Sequence, residues 1–155
     1  MPSGLSTPRE GSSNRAIGRQ WGRTTRDSYV SLLRQEALVG ETCGVGTCLR
    51  DRGKRVLLLF ASERNADRWW FGVKEEELTQ DGGAYVVLLG RQDDGAVLDF
   101  VLPSELIKKV LPKLSRSGNQ VQFNLNRNDN QYWLKIPYDE PLDVSEYMGA
   151  RWLLK

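Results

Sequence analysis

Histidine is absent from the 155 residues of this chain. That removes the commonest general base, the imidazole metal ligand and any Ser-His or Cys-His dyad. Nucleases whose base is a histidine are excluded with it. Cysteine is scarce: Cys43 and Cys48 are the two in the chain, too few for a disulfide scaffold or a complete zinc site. A bond between them is geometrically allowed, but two free thiols suit the reducing compartment that so little cysteine implies. Long apolar runs are also missing. Nothing approaches the roughly 20 residues that a membrane span needs, and the N-terminus has no apolar signal-peptide core. These absences lead to the expectation of a cytoplasmic chain with no membrane partner. No cofactor motif is visible: Gly44-Val45-Gly46 lacks the third Gly, the Lys-Ser/Thr and the helix start of a phosphate-cradling loop.

Charge is plentiful but nearly balanced, with 22 Lys and Arg against 20 Asp and Glu for a net +2, and its distribution is uneven. Residues 1–28 hold Arg9, Arg15, Arg19, Arg23 and Arg26 against Glu10 and Asp27, which is +3, so the remainder stands at −1. The first twenty residues are rich in Ser, Gly and Arg. Composition predicts a flexible basic arm over 1–22 and a single α+β domain over 23–155. The arm either steers the protein toward nucleic acid or an acidic partner, or it is a solubilising tail.

What the chain does contain is a dense apolar middle. VLLLFAS (Val56–Ser62), RWWFGV (Arg68–Val73), YVVLLG (Tyr85–Gly90) and AVLDFVLP (Ala96–Pro103) are short runs separated by turn-like residues. They predict strands. The Asp94-Gly95 turn pairs the third with the fourth. Val121–Leu125 and Tyr132–Ile136 alternate and predict a second hairpin across Asn126–Asn130. A strand at Val45–Leu49 with a hairpin at Asp51-Arg52-Gly53 is expected before them. Helical spacing predicts Thr24–Val39, with Tyr29, Val30, Leu33 and Ala37 inward. A second helix is expected over Ser104–Leu114, capped by Ser104 and ended by Pro112. Lys74–Leu78 and Pro141–Gly149 read as short helical stretches. Arg151–Leu154 is a strand or a docked tail. The predicted fold is α+β: a mainly antiparallel sheet of about six or seven strands, an N-terminal helix, and one helix packed on the sheet.

Two kinds of chemistry can be weighed on this frame. A magnesium nuclease needs one acidic strand residue and an acid-x-Lys on the next strand. Asp51 with Glu63, after a helix bearing Glu36, is the nearest spacing, yet Arg64 and Asn65 follow Glu63 where Lys is required. Asp99 interrupts an apolar strand, which more often means a turn or solvent contact than a metal ligand. No catalytic or metal-ligating residue is assigned. The second chemistry is nucleic-acid binding. Arg64, Asn65, Arg68, Trp69, Trp70 and Lys74 combine cations for phosphate, an amide for base edges and an aromatic ring for stacking. Trp69 and Trp70 must face opposite ways on a strand. The alternative is that the tryptophans only fill the core, or that the same residues form a protein-facing hot spot.

The segments RWWFGVKEEEL, YVVLLG, VLDFVLPSELI, YWLKIP and LDVSEYMGARWLL, spanning Val56 to Lys155, resemble small prokaryotic domains that accompany restriction and other DNA-acting defence proteins. The resemblance implies a DNA-related setting and brings no catalytic residue with it. The functional expectation is a non-enzymatic nucleic-acid-binding accessory module. The alternatives are a protein-interaction subunit of a larger complex and a divergent metal nuclease acting through Asp51, Glu63 or Asp99.

Overall fold

The computed structural model describes residues 12–36, 41–42, 48–51 and 54–154. Its first element is the helix α1 (Ser12–Gln35). The short strands β1 (Glu41–Thr42) and β2 (Cys48–Asp51) follow, then β3 (Lys54–Ser62) and β4 (Arg68–Lys74). The chain continues through α2 (Glu75–Thr79), β5 (Tyr85–Arg91), β6 (Val97–Leu102) and α3 (Ser104–Val110). It ends with β7 (Ser115–Ser117), β8 (Gln120–Asn128), β9 (Gln131–Leu134), β10 (Leu142–Asp143) and 3-10 turns at Ser145–Tyr147 and Arg151–Leu154.

The α+β class is as expected, and most pairings are antiparallel. The strands do not form one sheet of six or seven, however. Those among the described residues divide between two sheets, ordered β1-β2-β3-β5-β6 and β10-β9-β8-β4, with β7 on β8. One pair, β3 with β5, is parallel, because β4 leaves the first sheet and pairs in the second, carrying the chain between them. Strand runs in a sequence fix which residues alternate but not which sheet each strand joins.

Alternation then builds three layers. On β4 and β8 the residues Trp69, Phe71, Val73, Val121, Phe123 and Leu125 are buried. They meet Leu57, Leu59, Val86, Leu88, Phe100 and Leu102 of the first sheet in one apolar cluster. The other face of the first sheet offers Val56, Leu58, Val87, Leu89 and Val101 to Tyr29, Val30 and Leu33 of α1. So β3 and β5 are covered on both sides, which explains their unbroken apolar runs. The second sheet has one covered face only. Arg55, buried at the start of β3, donates to the carbonyls of Glu77 and Gln80 and pairs with the Glu77 carboxylate at 3.1 Å, fastening α2.

Several boundaries differ from expectation. Residues 12–22, assigned to the flexible arm, are the first half of α1, so the domain boundary drawn at 22/23 falls inside a helix. Residues 1–11 of that arm lie outside the described residues, as do Cys43, Val45 and the Arg52-Gly53 turn. Helix α1 runs to Gln35 with a turn at Glu36, and residues 37–39 of the expected helix lie outside the described residues. Helix α3 ends at Val110 and passes into a 3-10 turn at Pro112, and Pro103 takes the cap position expected of Ser104. Pro141–Gly149 holds the strand β10 and a 3-10 turn in place of a helix. Arg151–Leu154 docks as a 3-10 turn with Leu154 buried. The two predicted hairpins, β5 with β6 and β8 with β9, form as expected.

Candidate nucleic-acid interface

The uncovered face of the second sheet is built by period-two alternation. Every second residue of β4 and β8 goes inward, so Arg68, Trp70, Gly72 and Lys74 point outward beside Gln120, Gln122, Asn124 and Asn126. Register sets the rows. Arg68 pairs with Asn126, which pairs with Trp133. Trp70 pairs with Asn124, whose carbonyl accepts the Lys135 backbone N–H at 2.9 Å.

A groove of about 520 Å³ lies over these rows. Arg64, Asn65, Arg68, Trp69 and Trp70 line it from the β3–β4 side, and Asn124, Asn126 and Lys135 line it from β8 and the end of β9. No carboxylate lines it. Among the described residues Arg64, Arg68 and Lys135 make no ion pair. The lining therefore carries three cations and no anion, and no carboxylate among the described residues neutralises them. Trp70 is 40% exposed, and its ring reclines toward Gly72, where a Cβ would sit 3.4 Å from the indole. The absence of a side chain there lets the ring lie low on the sheet with its outer face open. Past Lys135 the floor continues to Ile136–Pro141, where Tyr138 stands fully exposed.

The rim of the groove is an unusual turn. Asn65, Ala66 and Asp67 have φ of 46°, 49° and 67° in succession. Each left-handed L residue costs roughly 1–2 kcal/mol, and such a run survives only where its surroundings over-determine it. Here they do. Arg64 N–H donates to the Arg68 carbonyl at 2.7 Å. The Glu63 carboxylate accepts the N–H of Asp67 at 2.6 Å and that of Asp93 at 3.0 Å. Arg127 donates to Asp67 at 2.7 Å and to Gln92 at 2.8 Å. A hydrogen bond to Tyr132, followed by that to Asp67, raises the Arg127 pKa, so its guanidinium stays charged. Arg64 and Asn65 are thus held at the mouth of the groove by a pinned loop.

Of the six residues singled out from the sequence, Arg64, Asn65, Arg68 and Trp70 come together as an accessible set. Trp69 lies beneath them, 1% exposed, donating its indole N–H to the Arg91 carbonyl at 3.0 Å. Its ring fills core beside Gly90, so although the residue lines the groove it is too buried to stack on a ligand. Lys74 points outward but ends β4, about 20 Å from Arg68 at ~3.4 Å per strand residue, and does not line the groove. Asn124, Asn126 and Lys135 were missed. The signal for two of them was present: the outward positions of β8, Gln120, Gln122, Asn124, Asn126 and Asn128, are all amides.

Two of the acidic residues weighed for metal chemistry, Glu63 and Asp99, are engaged elsewhere. Glu63 anchors the loop. Asp99 accepts the Tyr29 hydroxyl at 2.9 Å and Arg151 at 3.3 Å. Asp51 ends β2, and its side chain is outside the described set. Among the described residues no cluster of three His, Cys, Asp or Glu could hold a metal ion, and no helix is long and apolar enough to cross a membrane. No protein-family model matches the chain, and no curated protein matches it.

Proposed function

We propose that this chain is a non-enzymatic nucleic-acid-binding module, and that its site is the groove on the open face of the second sheet. One observation carries the reading: Arg64, Arg68 and Lys135, without an ion pair among the described residues, surround an exposed Trp70 and three amides, with no carboxylate in the lining. Cations select an anionic ligand, the ring offers a stacking platform, and amides offer paired donors and acceptors. Few ligands besides nucleic acid ask for all three. The wider setting, an accessory role in a prokaryotic defence or DNA-processing system within the cytoplasm, rests on the sequence resemblance and composition alone.

The test is fluorescence anisotropy with labelled oligonucleotides over a salt series, comparing the intact chain with Arg64→Ala/Arg68→Ala. Binding should weaken steeply with salt. The double variant should bind less tightly, with a salt slope shallower by about 1.4 for a single strand, at ~0.7 for each phosphate no longer neutralised. An unchanged slope in the variant would remove the groove from the reading. No binding by the intact chain would sink it and favour the protein-facing use of the same Trp and Arg residues, which is the composition of interface hot spots.

A further inference from the structure

We infer that the ligand of this groove is a single strand, laid across the open sheet with its bases read by the amides of β8. The inference rests on the nucleic-acid reading above and goes further by naming the form of the nucleic acid.

The physical argument is one of access. β8 is the inner strand of its sheet, flanked by β4 along Gln120–Asn126 and by β7 and β9 on its other side. Neighbouring strands lie about 4.8 Å apart. A duplex major groove is about 12 Å wide and admits a helix or a two-stranded ribbon. For Asn124 or Asn126 to touch a base edge inside that groove, β4, β8 and β9 would all have to enter it, with Trp70, Arg68 and Trp133 projecting at its walls. Three strands bearing such side chains do not fit. A single strand meets no such barrier, because its unstacked bases can turn down onto the sheet. The side chains are disposed for that. Trp70 lies low beside Gly72 and opens one face upward. Asn124 is its register partner and Asn126 that of Arg68. Each row therefore sets an amide next to either a stacking ring or a phosphate-binding cation. The pinned left-handed turn at Asn65–Asp67 holds the Arg64 end of the path in place before the ligand arrives, which limits the ordering cost of binding.

The experiment compares single-stranded homopolymers of thymidylate, cytidylate and adenylate with a mixed-sequence strand and its own duplex, all of equal length, by anisotropy at fixed salt. The intact chain should bind the mixed strand more tightly than its duplex and should rank the homopolymers. Trp70→Ala should weaken single-strand binding about tenfold. Asn124→Ala/Asn126→Ala should narrow the spread among homopolymers and leave the salt slope unchanged. Gln122→Ala, on the same face, is a second amide variant should the double one fold poorly by circular dichroism. Duplex binding as tight as single-strand binding, or a spread that no amide variant narrows, would overturn the inference while the nucleic-acid reading stands. Failure of every oligonucleotide to bind would overturn both.

Discussion

Trp69 and Trp70 are neighbours in sequence with opposite surroundings. Trp69 packs against Gly90, where a Cβ would stand 3.1 Å from the ring, and tilts toward Tyr132 at 6.5 Å between centroids. Arg127 lies 5.3 Å from the ring centroid. Trp70 lies over Gly72 and is 40% exposed. Their deletion costs should separate accordingly. Trp69→Ala leaves a cavity in the core and removes one of the two N–H donors to the Arg91 carbonyl, the other being Glu63, a loss of roughly 3–5 kcal/mol. Trp70→Ala should cost less than about 1 kcal/mol, as exposed changes do. Urea unfolding of the two variants measures this directly. Comparable losses would mean that the two rings are not sorted as the strand register sorts them. The same comparison makes Trp70→Ala usable in binding work, since a folded variant reports on the ligand alone.

The turn between β3 and β4 shows how an element can carry strain where its surroundings over-determine it. Three left-handed residues in a row conflict with local preference, and Ala66 has no side-chain hydrogen bond to offset it. Asn and Asp tolerate this region better than Ala. Ala66→Gly should therefore stabilise the protein by about 0.5–1 kcal/mol, the relief of backbone strain less the greater chain entropy of glycine. A differential scanning measurement showing a lowered Tm would indicate that position 66 does not hold a positive φ in solution. The β8–β9 turn makes the contrast. Asp129 and Asn130 also have positive φ, 54° and 63°, but they form a two-residue hairpin connection in which residues of this kind are at home.

Helix, sheet and C-terminus are joined across the molecule by one polar cluster. Tyr29 of α1 donates to Asp99 of β6. Arg151 bridges Asp99 at 3.3 Å and Glu36, just past the end of α1, at 2.9 Å. Burial, and then the Asp99 charge, push the Tyr29 phenol well above its ordinary pKa. Because the folded value exceeds the unfolded value, the unfolded chain loses this proton first as pH rises. The contribution is complete below pH ~10 and declines above it. Tyr29→Phe should cost about 1 kcal/mol at neutral pH for the lost hydrogen bond. It should also flatten the fall of stability between neutral and strongly alkaline pH. Urea midpoints across that range are the measurement, and an equally steep fall in the variant would place the alkaline sensitivity in another group.

Much of this protein is local physics and was legible from residue order. The period-two patterns of β4, β8 and β9 state which side chains go in, and the Asp-Gly and Asn-rich turns state where two hairpins close. The unbroken run of β3 states that it is covered twice, and Pro112 states where α3 gives way. The grouping of Arg64, Asn65, Arg68 and Trp70 was readable because they lie on one turn and one strand. The rest depended on packing between distant segments. Polar residues 12–22 look like an arm until Trp21 is seen under the Arg91 guanidinium, 3.9 Å from its ring centroid, an interaction no local pattern encodes. Alternation ranks Trp69 and Trp70 as opposites but cannot say which faces water, since that depends on the second sheet being covered on one side only. Asn124, Asn126 and Lys135 join the groove through pairing across the sheet. A groove is a property of neighbouring strands, and the free energy that chooses those neighbours comes from burying Trp69, Phe71 and Phe123 against a sheet drawn from elsewhere in the chain.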